Sequence, residues 1–299
     1  MVDSIVLINR SFNNQNMVTE LPINQNNRKY VLDYIDWGAI QSTRKTYKFI
    51  NQIGVYVTGT TLESRDIAIT GWVVADTYTQ MKERKRFLNN FVNPLQQLTL
   101  VYNDYSIDCI PDTTIKYGSD YKDNNEVLCK FVIDLFCPDP LFYTSQPKQA
   151  SIADWLPKFH FPLVIPQNDG IIMGLRSPSV IITVNNPGTI ETGMTVIFHA
   201  RGTVVNPYLI NINTQKQIKF DHTMEPGETL EVTTYVNRKS VKKTSGSITT
   251  NAFNYLDFEN NEFIQLAPGN NYLRYGASDG MSNLEIQIEY RPQYQEVQE

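Results

Sequence analysis

The sequence predicts a mainly β protein of two domains, the first of which carries a single α-helix. Three observations predict it. The chain has 299 residues, and at roughly 150 residues per domain that makes two domains. Apolar residues recur mostly at period two, the strand period. Only one stretch, in the first half, changes to the helical period. Composition fits a folded chain: charged residues are 19%, with 17 Tyr and 14 Phe. Low charge with many aromatics argues against disorder. It leaves a polar surface of Asn, Gln, Thr and Ser, suited to burial against partners.

The elements follow in chain order. Ile5–Ile8 is a short β run. The segment 30–40 is apolar and aromatic, broken at Gly38. Residues 47–57 and 65–74 read as strands, and TGTT at 58–61 reads as the turn between them. A helix over 77–92 comes next. Thr77 and Gln80 fit a capping box, Tyr78, Met81, Leu88, Phe91 and Val92 share a face, and Pro94 stops the run. Such a stripe is core packed on a sheet. Residues 98–102, 105–110 and 126–136 are further strands. The last is apolar on both faces, which predicts a strand sandwiched between layers. Two prolines in CPDPLFY, residues 137–143, end that segment.

Domain 1 is therefore expected over 1–145. A connection over 146–178 follows, with a polar start and an aromatic patch at Trp155, Phe159, His160 and Phe161. The second domain is expected over 179–299. It is almost pure β, with runs at 179–184, 194–200, 208–212, 217–220 and 229–236 split by NNPG, NTQK and EPGE. In its last strand Leu284, Ile286, Ile288 and Tyr290 alternate with polar residues. Short strands at this spacing, with no second helix, predict a β-sandwich or jelly roll.

Chemistry is hard to find. Lys plus Arg is 26 against 31 Asp plus Glu, a net charge of −5, and the acidic excess is shared by both halves. A nucleic-acid module needs clustered positive charge instead. No GxxxxGK[ST], GxGxxG, HExxH or GxSxG occurs. His160, His199 and His222 lack metal-ligand spacing. Asp120, Asp123, Asn125 and Glu126 lack the spacing and central glycine of a calcium loop. Asp104, Asp108 and Asp112 make no credible catalytic pair. No catalytic, cofactor or metal site is expected. Cys109, Cys129 and Cys137 include no CxxC and read as free buried thiols, with a Cys109–Cys129 bridge as the alternative. The basic turn NRKSVKK at 237–243 reads as a solvated hairpin. The apolar run at 5–8 is too short for a signal peptide. No stretch reaches the roughly 20 apolar residues of a membrane span, so folding in a cytoplasm is expected.

The ordered motifs resemble a family. Residues 60–71, TTLESRDIAITG, then the helix, then CPDPLFY at 137–143, resemble the N-terminal half of the siphophage distal tail proteins, the hub subunits of phage baseplates. Gly202–Pro207 and Leu266–Asn271 are similar to the GxxxNP and LxPGxN elements of that family's galectin-like domain. The resemblance implies an N-terminal β-sandwich with one helix that forms a closed six-membered ring. That ring would join the tail tube to the tail-tip protein at the distal end of the virion's tail. Galectin-like sandwiches would project outward and dock side fibres or receptor-binding proteins. DNA would pass the channel without specific binding.

On this reading the expected ring contacts lie on the strand pair around 47–72 and the loop at 58–63, with Thr58, Thr60, Thr61, Leu62, Glu63 and Arg65 as the contact residues. Long turns between strands can reach a neighbour. The competing function is a carbohydrate-binding adhesin using Tyr208, Tyr235 and Tyr275 of the second half. Sugar rings stack on exposed aromatic faces, yet all three Trp precede residue 156.

Overall fold

The computed structural model describes residues 4–9, 19–51, 53–152, 155–157, 174–176, 180–259 and 261–297. The chain divides into two compact units. One comprises residues 1–145 together with 294–299, and the other comprises 146–293.

The first unit contains β1 (Ser4–Asn9), β2 (Thr19–Asn24), β3 (Tyr30–Asp36), β4 (Ser42–Tyr47), β5 (Tyr56–Leu62), β6 (Arg65–Val74), α1 (Tyr78–Phe91), β7 (Leu98–Tyr102), β8 (Tyr105–Pro111), β9 (Lys116–Tyr117), β10 (Leu128–Cys137) and β11 (Phe142–Thr144). Their main ladder runs β2-β1-β7-β8-β10-β6-β3, with β9 beside β10 and β11 beside β8. The period-two pattern decides which faces are buried. Ile67, Ile69 and Val73 of β6 face the same core as Cys129, Phe131, Ile133 and Leu135 of β10.

Helix α1 completes that core with Met81, Leu88 and Phe91. Thr77 is its N-cap, accepting from the Gln80 amide at 3.4 Å. The Gln80 side chain accepts from the Asp76 amide at 3.3 Å, so the reciprocal half of the box is shifted by one residue. At the other end, the buried Asn9 donates to the Phe91 carbonyl at 2.9 Å, satisfying an acceptor that the helix leaves open.

The second unit contains β12 (Lys148–Ile152), β13 (Trp155–Pro157), β14 (Gly174–Arg176), β15 (Ile181–Asn186), β16 (Met194–Ala200), β17 (Val204–Val205), β18 (Tyr208–Asn211), β19 (Gln217–Lys219), β20 (Thr223–Met224), β21 (Thr229–Thr233), β22 (Ser240–Ser245), β23 (Ile248–Asn251), β24 (Gly269–Gly276) and β25 (Leu284–Tyr290). Its sheets are β12-β25-β16-β21-β22-β23 and β15-β24-β18-β19. Their inner faces share one core, with Val196, Phe198, Val232 and Ile286 from the first and Val184, Leu209 and Leu273 from the second. This is a β-sandwich. A final short strand, β26 (Gln293–Tyr294), pairs with β11 and so returns the chain to the first unit.

Several expectations differ from the structure. The expected strand over 47–57 is instead the end of β4, a bend and the start of β5. Asn51 and Gly54 take positive φ of 60° and 86° there, which a strand does not allow. The expected turn at 58–61 lies inside β5, where Thr60 pairs with Arg44. Among the described residues strand β10 is buried on one face only. Lys130 and Asp134 stand on its outer face and pair with Asp33 and Lys116 at 3.8 and 2.6 Å, which keeps that face wet.

The expected connection over 146–178 begins with β12, an edge strand of the second unit. Phe159, His160 and Phe161 of the expected aromatic patch lie outside the described residues. The expected second domain, 179–299, loses its last residues to the first unit.

Candidate assembly surface

Strands β4 and β5 form a two-stranded sheet of their own, unpaired with the main ladder. Their register runs from Ser42 opposite Leu62 to Tyr47 opposite Tyr56, with an irregularity after Lys45. Every residue of β4 is exposed, and so is every residue of β5 except Gly59. At the base, the Glu63 amide donates to the Gln41 carbonyl at 2.8 Å.

The far end is apolar. Tyr47 meets Phe49 edge-on at 4.7 Å, and Phe49 meets Tyr56 at 6.1 Å. Ile50 and Ile53 are 94% and 101% exposed, and Val55 and Val57 are exposed beside them. An isolated two-stranded hairpin is marginal in water. A contiguous apolar patch on such a hairpin marks an interaction site. The segment 42–62 is also basic, carrying Arg44, Lys45 and Lys48 and no acid, on a chain whose net charge is −5. That contrast suits contact with an acidic surface.

The expected contact residues now have places. Thr58, Thr60, Thr61 and Leu62 are exposed along β5, and Glu63 is exposed at its base. Thr58 and Thr61 donate across the hairpin to the carbonyls of Lys45 and Thr43 at 3.0 and 3.4 Å. Arg65 is different, because it is 2% exposed. Its guanidinium lies 4.7 Å over the Phe142 ring and donates to the Gln295 carbonyl. Burial lowers its pKa, while Cys137 and Glu296 oppose that effect. It is a core residue of the first unit and no surface contact. Sequence reasoning placed the strand pair around 47–72 at the contact but read residues 47–57 as one strand, and so missed the bend at 48–55 and its exposed apolar end. Its basic flank and the lack of clean alternation were the available signals.

The three tyrosines weighed for sugar do not converge. Tyr275 is 3% exposed and sits in the sandwich core. Tyr208 lies opposite Gly276 in the register, so it points to the other face of the same sheet. Tyr235 lies beyond β21, and its hydroxyl accepts from the Arg291 amide at 3.1 Å.

The basic turn is divided among local partners. Lys239 covers Phe263 at 4.9 Å, Lys242 pairs with Glu231 at 3.4 Å and Lys243 with Glu228 at 3.8 Å. All three cysteines are free and buried, so the Cys109–Cys129 bridge is not formed. Among the described residues no group of His, Cys, Asp and Glu is arranged to hold a metal, and no helix is long and apolar enough to cross a membrane.

The Leu266–Asn271 element has structural work. Asn271 is buried and donates to the carbonyls of Ala267 and Gly269 at 2.8 and 3.2 Å, while accepting from the Ala267 amide at 3.0 Å. It thereby closes the loop ahead of β24.

Residues 19–137 match the phage tail protein RIFT-related domain, and residues 187–294 match the C-terminal domain of the siphovirus-type tail component. The two matched domains are thus those of a phage tail component. The chain belongs to the siphovirus distal tail family, the structural hub proteins of phage baseplates.

No curated relative matches the sequence. Among solved structures, the Dit protein of phage SPP1, described as a paradigm of the hub adsorption apparatus in phages infecting Gram-positive hosts, is similar with a TM-score of 0.64. Identity is 14%, over 89% of this chain and 93% of that one. A chain of the phage P2 baseplate in its activated conformation with Ca is similar with a TM-score of 0.54 and 13% identity, over 99% and 100% of the two chains. A chain of the Sr-bound form of that baseplate gives 0.52 and 13%, over 98% and 99%.

Proposed function

We propose that this protein is the ring-forming subunit of a distal tail hub, assembled in the host cytoplasm and carried at the end of the virion's tail. Six copies close into a ring through their first units. The ring joins the tail tube on one side to the tail-tip protein on the other, and DNA passes it without specific binding. The second unit offers docking surface to receptor-binding proteins or side fibres. The role is structural, with no reaction to catalyse.

The β4–β5 hairpin is the observation that carries this reading. It exposes an apolar, basic end that its own unit leaves uncovered. A closed ring needs two different surfaces on each subunit, one meeting the other on the next copy. The hairpin is one such surface, and in this reading the expected contacts at Thr58, Thr60, Thr61 and Leu62 lie on its β5 strand with Glu63 at its base. The half-exposed outer face of β10, with Leu128, Val132 and Phe136, is a candidate for the other. The low charge content also suits a subunit that buries surface against copies of itself, because interface cores are depleted in charge.

Mass measurement on the intact chain tests the proposal, alone and mixed with the tail-tube and tail-tip proteins of the same phage. A hexamer is expected in at least the mixed sample. A chain that stays monomeric and binds neither protein overturns it.

A further inference from the structure

Two of the three cysteines face one another across a strand pair. The β8–β10 ladder sets Pro111 opposite Leu135 and Ile110 opposite Phe136. The next pair in the same register is Cys109 and Cys137. The Asp112 amide donates to the Asp134 carbonyl at 2.9 Å, so 112/134 and 110/136 are the hydrogen-bonded pairs of this antiparallel ladder. The alternate pairs, 111/135 and 109/137, are therefore of the non-hydrogen-bonded kind. Such positions hold Cα atoms about 4.5 Å apart with side chains close together, within the roughly 4.4–6.8 Å that a disulfide spans.

Both side chains point inward and both residues are 0% exposed. The Cys109 thiol donates to the Leu98 carbonyl at 3.6 Å, and the Cys137 thiol is near enough to raise its pKa, together with burial. Cys129 stands apart, opposite Val73 and about eight residues earlier on β10, which is roughly 26 Å along an extended strand.

We propose that Cys109 and Cys137 form a reversible redox pair that closes to a cross-strand disulfide between β8 and β10 when the protein meets a small-molecule disulfide. The Cys137 thiolate attacks one sulfur of that disulfide and expels a thiolate, leaving a mixed disulfide. Cys109 loses its proton, attacks the Cys137 sulfur and expels the second thiolate. Two protein thiols lose two electrons and two protons, and the small disulfide is reduced to two thiols.

The site is dry, so the reagent enters during folding or through local opening. The described β8–β10 pairing ends at 110/136, one position short of the cysteines, so opening there breaks no further β8–β10 pair. The neighbouring Cys137 thiol, with burial, holds the Cys109 thiol well above its usual range, so the pair closes slowly at neutral pH and faster in alkali. If the hub reading holds, a chain assembled in a reducing cytoplasm and released outside it would gain this staple after release. That consequence rests on the hub reading, whereas the bond itself does not.

The experiment uses the full chain equilibrated with reduced and oxidised glutathione at a series of ratios. Samples are acid-quenched, denatured and alkylated, and the thiols are counted by mass. Three alkylated cysteines are expected at the reducing end and one at the oxidising end, with a peptide linking Cys109 to Cys137. C129S is expected to keep the two-thiol transition, and C137S to keep two free thiols at every ratio. Refolding the chain in the oxidising mixture removes access as an obstacle. Three free thiols even then, a link that includes Cys129, or stable glutathione adducts without a bridge each overturn the proposal. The measurement needs no ring or partner, so it stands or falls apart from the hub reading.

Discussion

The guanidinium of Arg65 donates to the main-chain oxygen of Gln295, a residue 230 positions later in the chain. Arg65 opens β6 and is walled by Phe142, so it holds the segment around Gln295 within the first unit. Nearby, Tyr105 meets Tyr294 edge-on at 5.2 Å. The buried Nε of Arg65 has no hydrogen-bond partner, a cost that the contacts of the rest of the group must offset.

Replacing Arg65 with Ala removes that anchor and leaves a cavity beside Phe142. The loss is expected at about 3 kcal/mol of unfolding free energy, in the range for emptying a large buried site. Hydrogen exchange should rise at residues 294–297 before the rest of the unit. Urea unfolding of R65A with an unchanged midpoint would show that the anchor is idle.

The hairpin predicts the opposite pattern. I50D/I53D places two charges on side chains that are almost fully exposed, so folding stability should change by less than about 0.5 kcal/mol per site. Self-association should fall at least tenfold, because the charges would have to be buried at the contact. Sedimentation of the double variant beside the parent checks both statements. Equal association of the two would remove the hairpin from the interface.

Gly38 has φ +63°, and a Cβ there would run into the Asp66 carbonyl oxygen. Both the left-handed backbone and the close approach exclude a side chain. G38A is expected to lower stability by about 2 kcal/mol, because strain and overpacking add. Thermal unfolding reads this directly.

Alkaline pH should weaken the first unit. Burial pushes the Tyr30 hydroxyl up to about 12, with the Arg84 guanidinium lowering it in part. It donates to the Arg84 carbonyl at 3.0 Å. A neutral form favoured by folding stabilises fully below the unfolded pKa of about 10. That contribution fades as pH rises from about 10 to 12, by at most about 1.4 kcal/mol per pH unit. Y30F should be less stable at pH 8 and show a shallower decline between pH 10 and 12. Parallel curves for the two proteins would sink the assignment.

Much of the fold was legible because local pattern and burial agreed. The alternation in Leu284–Tyr290 matches a strand with Leu284, Ile286, Ile288 and Tyr290 buried, and the Thr77 cap starts the helix. The region around 47–72 was legible as a candidate contact, but the hairpin's shape was not, because its apolar residues are exposed. A pattern reader assigns apolar residues to a regular strand, whereas Tyr47, Phe49, Ile50 and Ile53 surround a bend and lie outside the core cluster of the first unit. Arg65 failed in the reverse sense, since a charged residue beside a predicted turn reads as surface.

By itself the sequence determined the β character, the single helix and its cap, the family, and the lack of any recognised catalytic motif. Those are properties of neighbouring residues and their spacing. Only the tertiary structure decided that the last residues belong with the first unit, that Arg65 is buried, that residues 42–62 stand free of the main sheet, and that Cys109 faces Cys137. Each of these depends on pairings between residues far apart in the chain. Register and burial are set by the whole packed unit, so no local window of sequence contains them.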